Sequence, residues 1–278
     1  MRVRMANNRL KLAVLISGSG TNLQAIIDRI EAGKLDAEIT VVVSNNSQAY
    51  GLTRAQKHGI STAVVEYAKY GKRLFPEVDE SKLPSQFNEV MERQRIFHGH
   101  PPEEIRERLA RLVLAEQEII EILEPLAPEL ICMAGFMRLI SPYFIGHYNK
   151  QERYGIMNIH PALLPAFPGT DGYGDTFAYG CRFGGVTVHF IDEGEDTGPI
   201  IAQATYPIWP RDTVDTIRRR GMELEYVLYS QCIQWMAQGD LLVEQGKDGR
   251  PKVRILDPEY PKFLDQLTRQ AFARQEQI

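Results

Sequence analysis

The sequence predicts an α/β fold, a mostly parallel twisted sheet with helices on both faces. Short continuous apolar runs, led by Leu12-Ala-Val-Leu-Ile16, have the character of strands buried on both sides. Stretches with helical spacing alternate with them, beginning with Leu23 to Ile30. A glycine turn, Ser17-Gly18-Ser19-Gly20-Thr21-Asn22, joins the first strand to the first helix. That junction aims free backbone N–H groups at an anion, and its glycines let the backbone approach closely.

Taken in order, Gly33 stops the first helix and Ile39-Thr-Val-Val-Val43 is the second strand. Ala49 to His58 reads as a helix ending at Gly59, and Ser61 to Glu66 as a third strand. The segment 70–102 reads as an insertion, punctuated by Pro76, Pro84, Gly99, Pro101 and Pro102. Its helical stretch, Ser85 to Phe97, is either a solvated surface helix or part of a lid. Glu103 to Glu124 forms a long amphipathic helix stopped by Pro125. The strand Glu129 to Ala134 then leads into an apolar loop, Gly135 to Pro142, suited to walling a flat ligand. Tyr143 to Tyr148 is a short helix. Beyond it lie strands at Asn158, Gly185 to Ile191 and Ile200 to Ile208. Thr213 caps a helix from Val214 to Gln238, broken at Gly239. A strand pair around Gly246 to Gly249 and a polar helical tail complete the chain. The expected organisation is one domain over 10–240, with the insertion at 70–102 and a C-terminal extension at 241–278.

Composition narrows the function classes. The 278 residues are 44% hydrophobic and carry a net charge of −4, with no basic run for nucleic acid. No apolar stretch approaches the ~20 residues of a membrane span, and no signal-type segment follows the charged start. Cys132, Cys181 and Cys232 are far apart and odd in number, which fits a reducing cytoplasm. His98 and His100 flank a glycine without a carboxylate or cysteine cluster, so no metal is expected.

The chemistry centres on Met157-Asn158-Ile159-His160-Pro161. In an extended segment Asn158 and His160 point to one side, with Ile159 turned into the core. Pro161 restricts His160 to extended conformations and ends the strand. Asp192-Glu193-Gly194-Glu195-Asp196-Thr197-Gly198-Pro199 is an acidic loop after the next strand. A carboxylate from it reaching His160 would hold the imidazole tautomer and favour its charged form. Glu225, among apolar neighbours on the last long helix, is either a salt-bridged structural residue or a ligand contact. A dinucleotide site is disfavoured. The third glycine of that fingerprint is Leu23, and the second strand ends in asparagines rather than an acid.

Four motifs in this order, Ser17 to Asn22, Ala134 to Arg138, Asn158 to Pro165 and Asp192 to Pro199, resemble the phosphoribosylglycinamide formyltransferases. These are folate-dependent enzymes of purine synthesis within the formyltransferase superfamily. The resemblance covers roughly residues 10 to 240 and implies the Rossmann-like formyltransferase fold. It implies Asn158, His160 and Asp196 as the catalytic trio. Gly18, Ser19, Gly20, Thr21 and Asn22 would hold the phosphate of glycinamide ribonucleotide, and Glu225 would contact that substrate. Met137, Arg138, Leu139 and Ile140, with Asn158, would bind 10-formyltetrahydrofolate, the backbone of Asp192 to Thr197 taking the pteridine-like ring. Arg108 or Arg111 would contact the folate. The partners implied are small molecules, with neither nucleic acid nor membrane, and the oligomeric state stays open. The chain departs from the family at Asp171 and Tyr173, where histidines are usual.

Two other readings share these residues. A formyltetrahydrofolate hydrolase would use the same trio with water as acceptor. The phosphate-suited glycine loop and the eleven residues before Leu12, too few for the hydrolases' N-terminal regulatory domain, favour the transferase. A non-catalytic folate- or phosphate-sensing domain would bind without turnover.

Overall fold

The first apolar run becomes the centre of the sheet. In this computed structural model, which describes residues 9–71, 77–150 and 153–273, β1 (Leu10–Ile16) is buried along almost its whole length. It pairs in parallel with β2 (Ala37–Ser44) on one side and β4 (Leu130–Met133) on the other. The sheet extends through β3 (Thr62–Val64) beyond β2 and β5 (Ile156–His160) beyond β4, all parallel. β6 (Phe183–Phe190) and β7 (Ile200–Pro207) add antiparallel strands, giving the order β3-β2-β1-β4-β5-β6-β7. The strand order reverses between β1 and β4, and a crevice at such a switch point is where open α/β sheets bind ligands.

Alternate side chains of β1 feed two cores. Leu12, Val14 and Ile16 pack with α1 (Thr21–Glu31), α2 (Tyr50–Lys57) and α7 (Val214–Gln238). Ala13 and Leu15 pack on the other face with α4 (Pro102–Leu123) and α5 (Pro142–Tyr148). Helices thus cover both faces. The α7 bounds agree with the sequence reading because the signals are local: Thr213 and Thr216 exchange capping hydrogen bonds, and Gly239 ends the helix at φ 79°.

The excursion before α4 differs from a solvated surface helix. Its helix α3 (Phe87–Arg93) buries Phe87 and Val90 against Leu109, Ala110 and Val113 of α4. The helix is shorter than the expected Ser85 to Phe97. The Gln94 side chain accepts from the backbone N–H groups of Ile96 and Phe97, at 3.2 and 3.0 Å, which competes with helix continuation. Pro76, with the rest of 72–76, lies outside the described residues. The charged start at residues 1–8 also lies outside them.

A helix the sequence reading did not assign, α6 (Gly172–Ala178), follows β5. After α7, β8 (Leu241–Gln245) and β9 (Pro251–Ile255) form an antiparallel pair. The tail helix α8 (Tyr260–Ala273) puts Leu267 and Ala271 into the main core, and its Tyr260 and Phe263 rings meet Trp235 edge-on. Residues 274–278 of the tail lie outside the described residues.

Candidate active site

Asn158 and His160 end β5 and line one cavity of about 300 Å³, and Ile159 between them packs with the α7 core while also bordering the cavity. His160 is 3% exposed. Its Nε2–H donates to the Phe167 carbonyl at 2.7 Å, and Nδ1 stands 3.4 Å from Asp196 Oδ2. The tautomer is therefore fixed first by a backbone carbonyl. Asp196 stands at the other nitrogen, within reach but with a looser contact.

Asp196 is itself positioned. Its backbone is left-handed, at φ 53°, and its Oδ2 accepts the Gly169 N–H at 2.9 Å. Asp192 shapes the turn that delivers it, accepting from the Gly194 N–H at 3.1 Å and the Thr197 hydroxyl at 2.6 Å. Glu193 of the same loop pairs with Arg93 at the end of α3, so the excursion ties to the acidic loop.

His189 belongs to this cluster and was not singled out from the sequence. It lies opposite Asn158 in the β5–β6 register, wholly buried. Nδ1–H donates to the Phe190 carbonyl at 2.9 Å, leaving Nε2 to accept from the Asn158 amide at 3.3 Å. Burial holds its pKa below the ordinary value, against the opposing pull of Asp196, whose Oδ1 is 3.6 Å away. A neutral His189 thus fixes the Asn158 amide. No sequence signal gives this, because antiparallel register cannot be read from two separate strands.

A second cleft of about 230 Å³ opens beside the cavity, lined by Ser17 to Asn22, Ala134, Gly135 and Met137. Here α1 begins with no side-chain cap, so its first backbone N–H groups are left for a ligand. Gly20 has φ 68°, and a Cβ there would lie 2.6 Å from the Gly51 Cα, so the loop rests against α2 backbone to backbone. Asn22 lines both the cleft and the cavity. Its Nδ2 donates to Glu225 Oε2 at 2.7 Å, and the Tyr173 hydroxyl donates to Oε1 at 2.5 Å. Burial raises the Glu225 pKa, and these two donors pull it back.

The remaining wall is apolar. Phe136, Leu139, Ile140 and, from the excursion, Ile96 line the cavity with Met137 and Arg138. The Met137 N–H donates to the Ser17 hydroxyl at 2.7 Å, joining the loop after β4 to the loop after β1. Beneath this wall Glu116 is fully buried and accepts from both the backbone N–H and the hydroxyl of Ser141, while burial pushes its pKa up to about 8. Arg108 and Arg111 do not line the cavity. They pair with Glu104 and Glu107 one helical turn back along α4, and Arg111 also donates to the Tyr70 carbonyl. Among the described residues no group of three or more His, Cys, Asp or Glu is arranged to hold a metal ion.

The formyl transferase family model matches residues 10–233, the span that carries both the cleft and the cavity. The chain belongs to this family. A phosphoribosylglycinamide formyltransferase of Haemophilus influenzae is 34% identical over 83% of this formyl transferase and 89% of its own length. The trifunctional purine biosynthetic protein adenosine-3 of Gallus gallus is 35% identical over 88% of this chain, which spans only 20% of that longer protein. A glycinamide ribonucleotide transformylase 1 structure from Symbiobacterium toebii superposes with a TM-score of 0.69 at 33% identity, over 92% of this chain and 99% of that one.

Of the residues singled out from the sequence, this formyl transferase brings Asn22, Met137 to Ile140, Asn158, His160, Asp196 and Glu225 into one cavity, with Gly18 to Thr21 in the adjoining cleft. Beyond them the structure adds His189, the Phe167 carbonyl and Ile96, and it sets Tyr173, a departure from the family pattern, against Glu225. No helix of the described residues is long and apolar enough to cross a membrane.

Proposed function

We propose that this formyl transferase moves the formyl group of 10-formyltetrahydrofolate to the amine of glycinamide ribonucleotide, a step of purine synthesis. One juxtaposition carries the reading: an uncapped helix start suited to phosphate shares Asn22, Gly135 and Met137 with a cavity holding Asn158, His160 and Asp196. The apolar wall from Phe136 to Ile140 suits a flat heteroaromatic ring. The formyl donor supplies an activated carbonyl carbon and a nitrogen leaving group.

In this reading the backbone N–H groups of Gly18 to Asn22 hold the acceptor's phosphate. Glu225 contacts the same acceptor. Asn158, aligned by His189, gives its remaining N–H to the formyl oxygen where negative charge develops, and His160 turns to the same oxygen its Nδ1–H, the ring nitrogen not held by the Phe167 carbonyl and only loosely met by Asp196 at 3.4 Å. Asp196 offsets the charge on His160. As the amine adds to the formyl carbon and the bond from that carbon to the folate nitrogen breaks, His160 gives its proton to the departing nitrogen and takes one from the incoming amine, so the enzyme ends in the protonation state in which it began. Residues 10–240 form the transferase unit.

A folate absorbance assay with both products quantified tests this. Release of tetrahydrofolate should be slow without glycinamide ribonucleotide and accelerate strongly with it, formylated acceptor appearing in step. Rapid formate release, unchanged by the acceptor, would replace the transferase with a deformylase. Binding of both ligands without turnover would replace it with a sensing domain.

A further inference from the structure

The contact between α6 and α7 reaches the cavity through a single phenol. Tyr173 is 6% exposed, and its hydroxyl is the donor to Glu225 Oε1. With Asn22 on Oε2, each carboxylate oxygen has its own donor, and the two come from different elements, α6 and α1. Two ties of this kind fix both where the carboxylate sits and how its plane is turned.

The ring has room only because of Gly221. This glycine lies in the interior of α7, one turn before Glu225, where glycine disfavours a helix. A Cβ at 221 would fall 2.5 Å from the Tyr173 hydroxyl oxygen and 2.8 Å from the carbon that bears it. The start of α6 is pressed equally hard against the strand end that carries His160. A Cβ at Gly172 would stand 2.8 Å from the Pro161 carbonyl oxygen. Asp171 contributes from outside, capping α6 through the Gly174 N–H at 3.2 Å. The two positions at which the family usually carries histidines are thus occupied by a helix cap and by a phenol held against α7.

We infer that Tyr173 and Gly221 are a complementary pair that positions Glu225 for the amine-bearing acceptor, making Tyr173 a specificity-determining residue for the acceptor and not for the formyl donor. The role rests on the acceptor assignment above. The pair itself rests on packing alone.

The groups facing Glu225 are Tyr173 from α6, Asn22 from α1, Tyr206 from β7 and His160 from β5. Burial raises the Glu225 pKa, and the Tyr173 donor lowers it. Tyr173→Phe keeps the ring and removes only the donor, so the carboxylate should take up its proton at higher pH.

The test measures steady-state kinetics with glycinamide ribonucleotide and 10-formyltetrahydrofolate, alongside thermal unfolding. Tyr173→Phe should raise the acceptor KM about tenfold, the scale of a hydrogen bond to a charged group. The donor KM should stay unchanged, and the acid limb of kcat/KM for the acceptor should move to higher pH. Gly221→Ala should lower Tm in the wild-type background and raise it in a Tyr173→Ala background, where the ring is gone. Equal changes in both KM values, or an unmoved acid limb, would overturn the positioning role. The same Tm change in both backgrounds would overturn the pair. If wild-type protein fails to formylate the acceptor while the Tm reversal holds, the pair stands and its acceptor role falls with the functional reading.

Discussion

The two sides of the cavity are built differently. On the side proposed for the acceptor, Gly18 to Asn22 follow one another along the chain and offer mainly backbone groups, braced by Gly51 of α2. The side proposed for the donor draws Ile96 from the excursion, Phe136 to Ile140 from the loop after β4 and Asp192, Gly194, Glu195 and Asp196 from the loop after β6. Among its ties are the half-exposed Arg93–Glu193 pair and the Ser17–Met137 hydrogen bond. A backbone-built subsite responds to sterics, abruptly. A subsite assembled from distant loops responds to many small contacts, gradually.

Substitution where the sides meet should have the largest effect. Asp196→Asn keeps an oxygen to accept the Gly169 N–H but removes the charge beside His160. Turnover should fall on the order of 10²–10³-fold, with both KM values little changed in steady-state assays. Wild-type turnover would remove Asp196 from the mechanism.

The acceptor side should break sharply and in two separable ways. At Gly18 an added Cβ meets nothing within 4 Å, so Gly18→Ala should fold normally. It should nonetheless raise the acceptor KM about tenfold where the phosphate needs close backbone approach. Gly20→Val meets both a positive φ and the Gly51 backbone, so it should lose at least ~1–2 kcal/mol of stability, measured by denaturant unfolding. A selective loss of folate binding in Gly18→Ala would mean that the two subsites are reversed.

The donor side should yield smaller steps. Ile96→Ala removes apolar surface from the wall and should raise the donor KM about threefold to tenfold, leaving the acceptor KM unchanged. Arg93→Ala breaks a half-exposed ion pair worth at most ~1 kcal/mol, so its effect should stay below about fivefold and fade with added salt. A donor KM indifferent to both would detach the excursion from the site.

At Glu116 the effect falls on stability rather than turnover. Its folded pKa of about 8 stands above the ordinary 4.5 because of burial. Between those values the folded protein holds a proton that the unfolded chain has released. Stability should therefore fall as pH rises through that window, by up to ~1.4 kcal/mol per unit. Glu116→Gln should flatten the slope in unfolding measurements between pH 5 and pH 8.

The contrast between the two sides also marks what the sequence could tell. The β1–glycine–α1 junction, the caps of α7 and the polar strand end at Asn158 are local patterns, and the structure carries each of them at the expected place. His189 was illegible because its meaning comes from lying across from Asn158. Ile96 was illegible because the excursion turns back on α4 through Phe87 and Val90, contacts that no spacing announces. Arg108 and Arg111 stand outside the lining of the cavity and pair with Glu104 and Glu107, one helical turn back along α4.

Single turnover with a donor labelled in its formyl carbon tests the transfer most directly. In wild-type protein the label should appear on glycinamide ribonucleotide in a one-to-one ratio with the tetrahydrofolate released. In Asp196→Asn the same partition should hold at a much lower rate. Label recovered chiefly as formate, in a proportion that the acceptor does not change, would contradict the transfer.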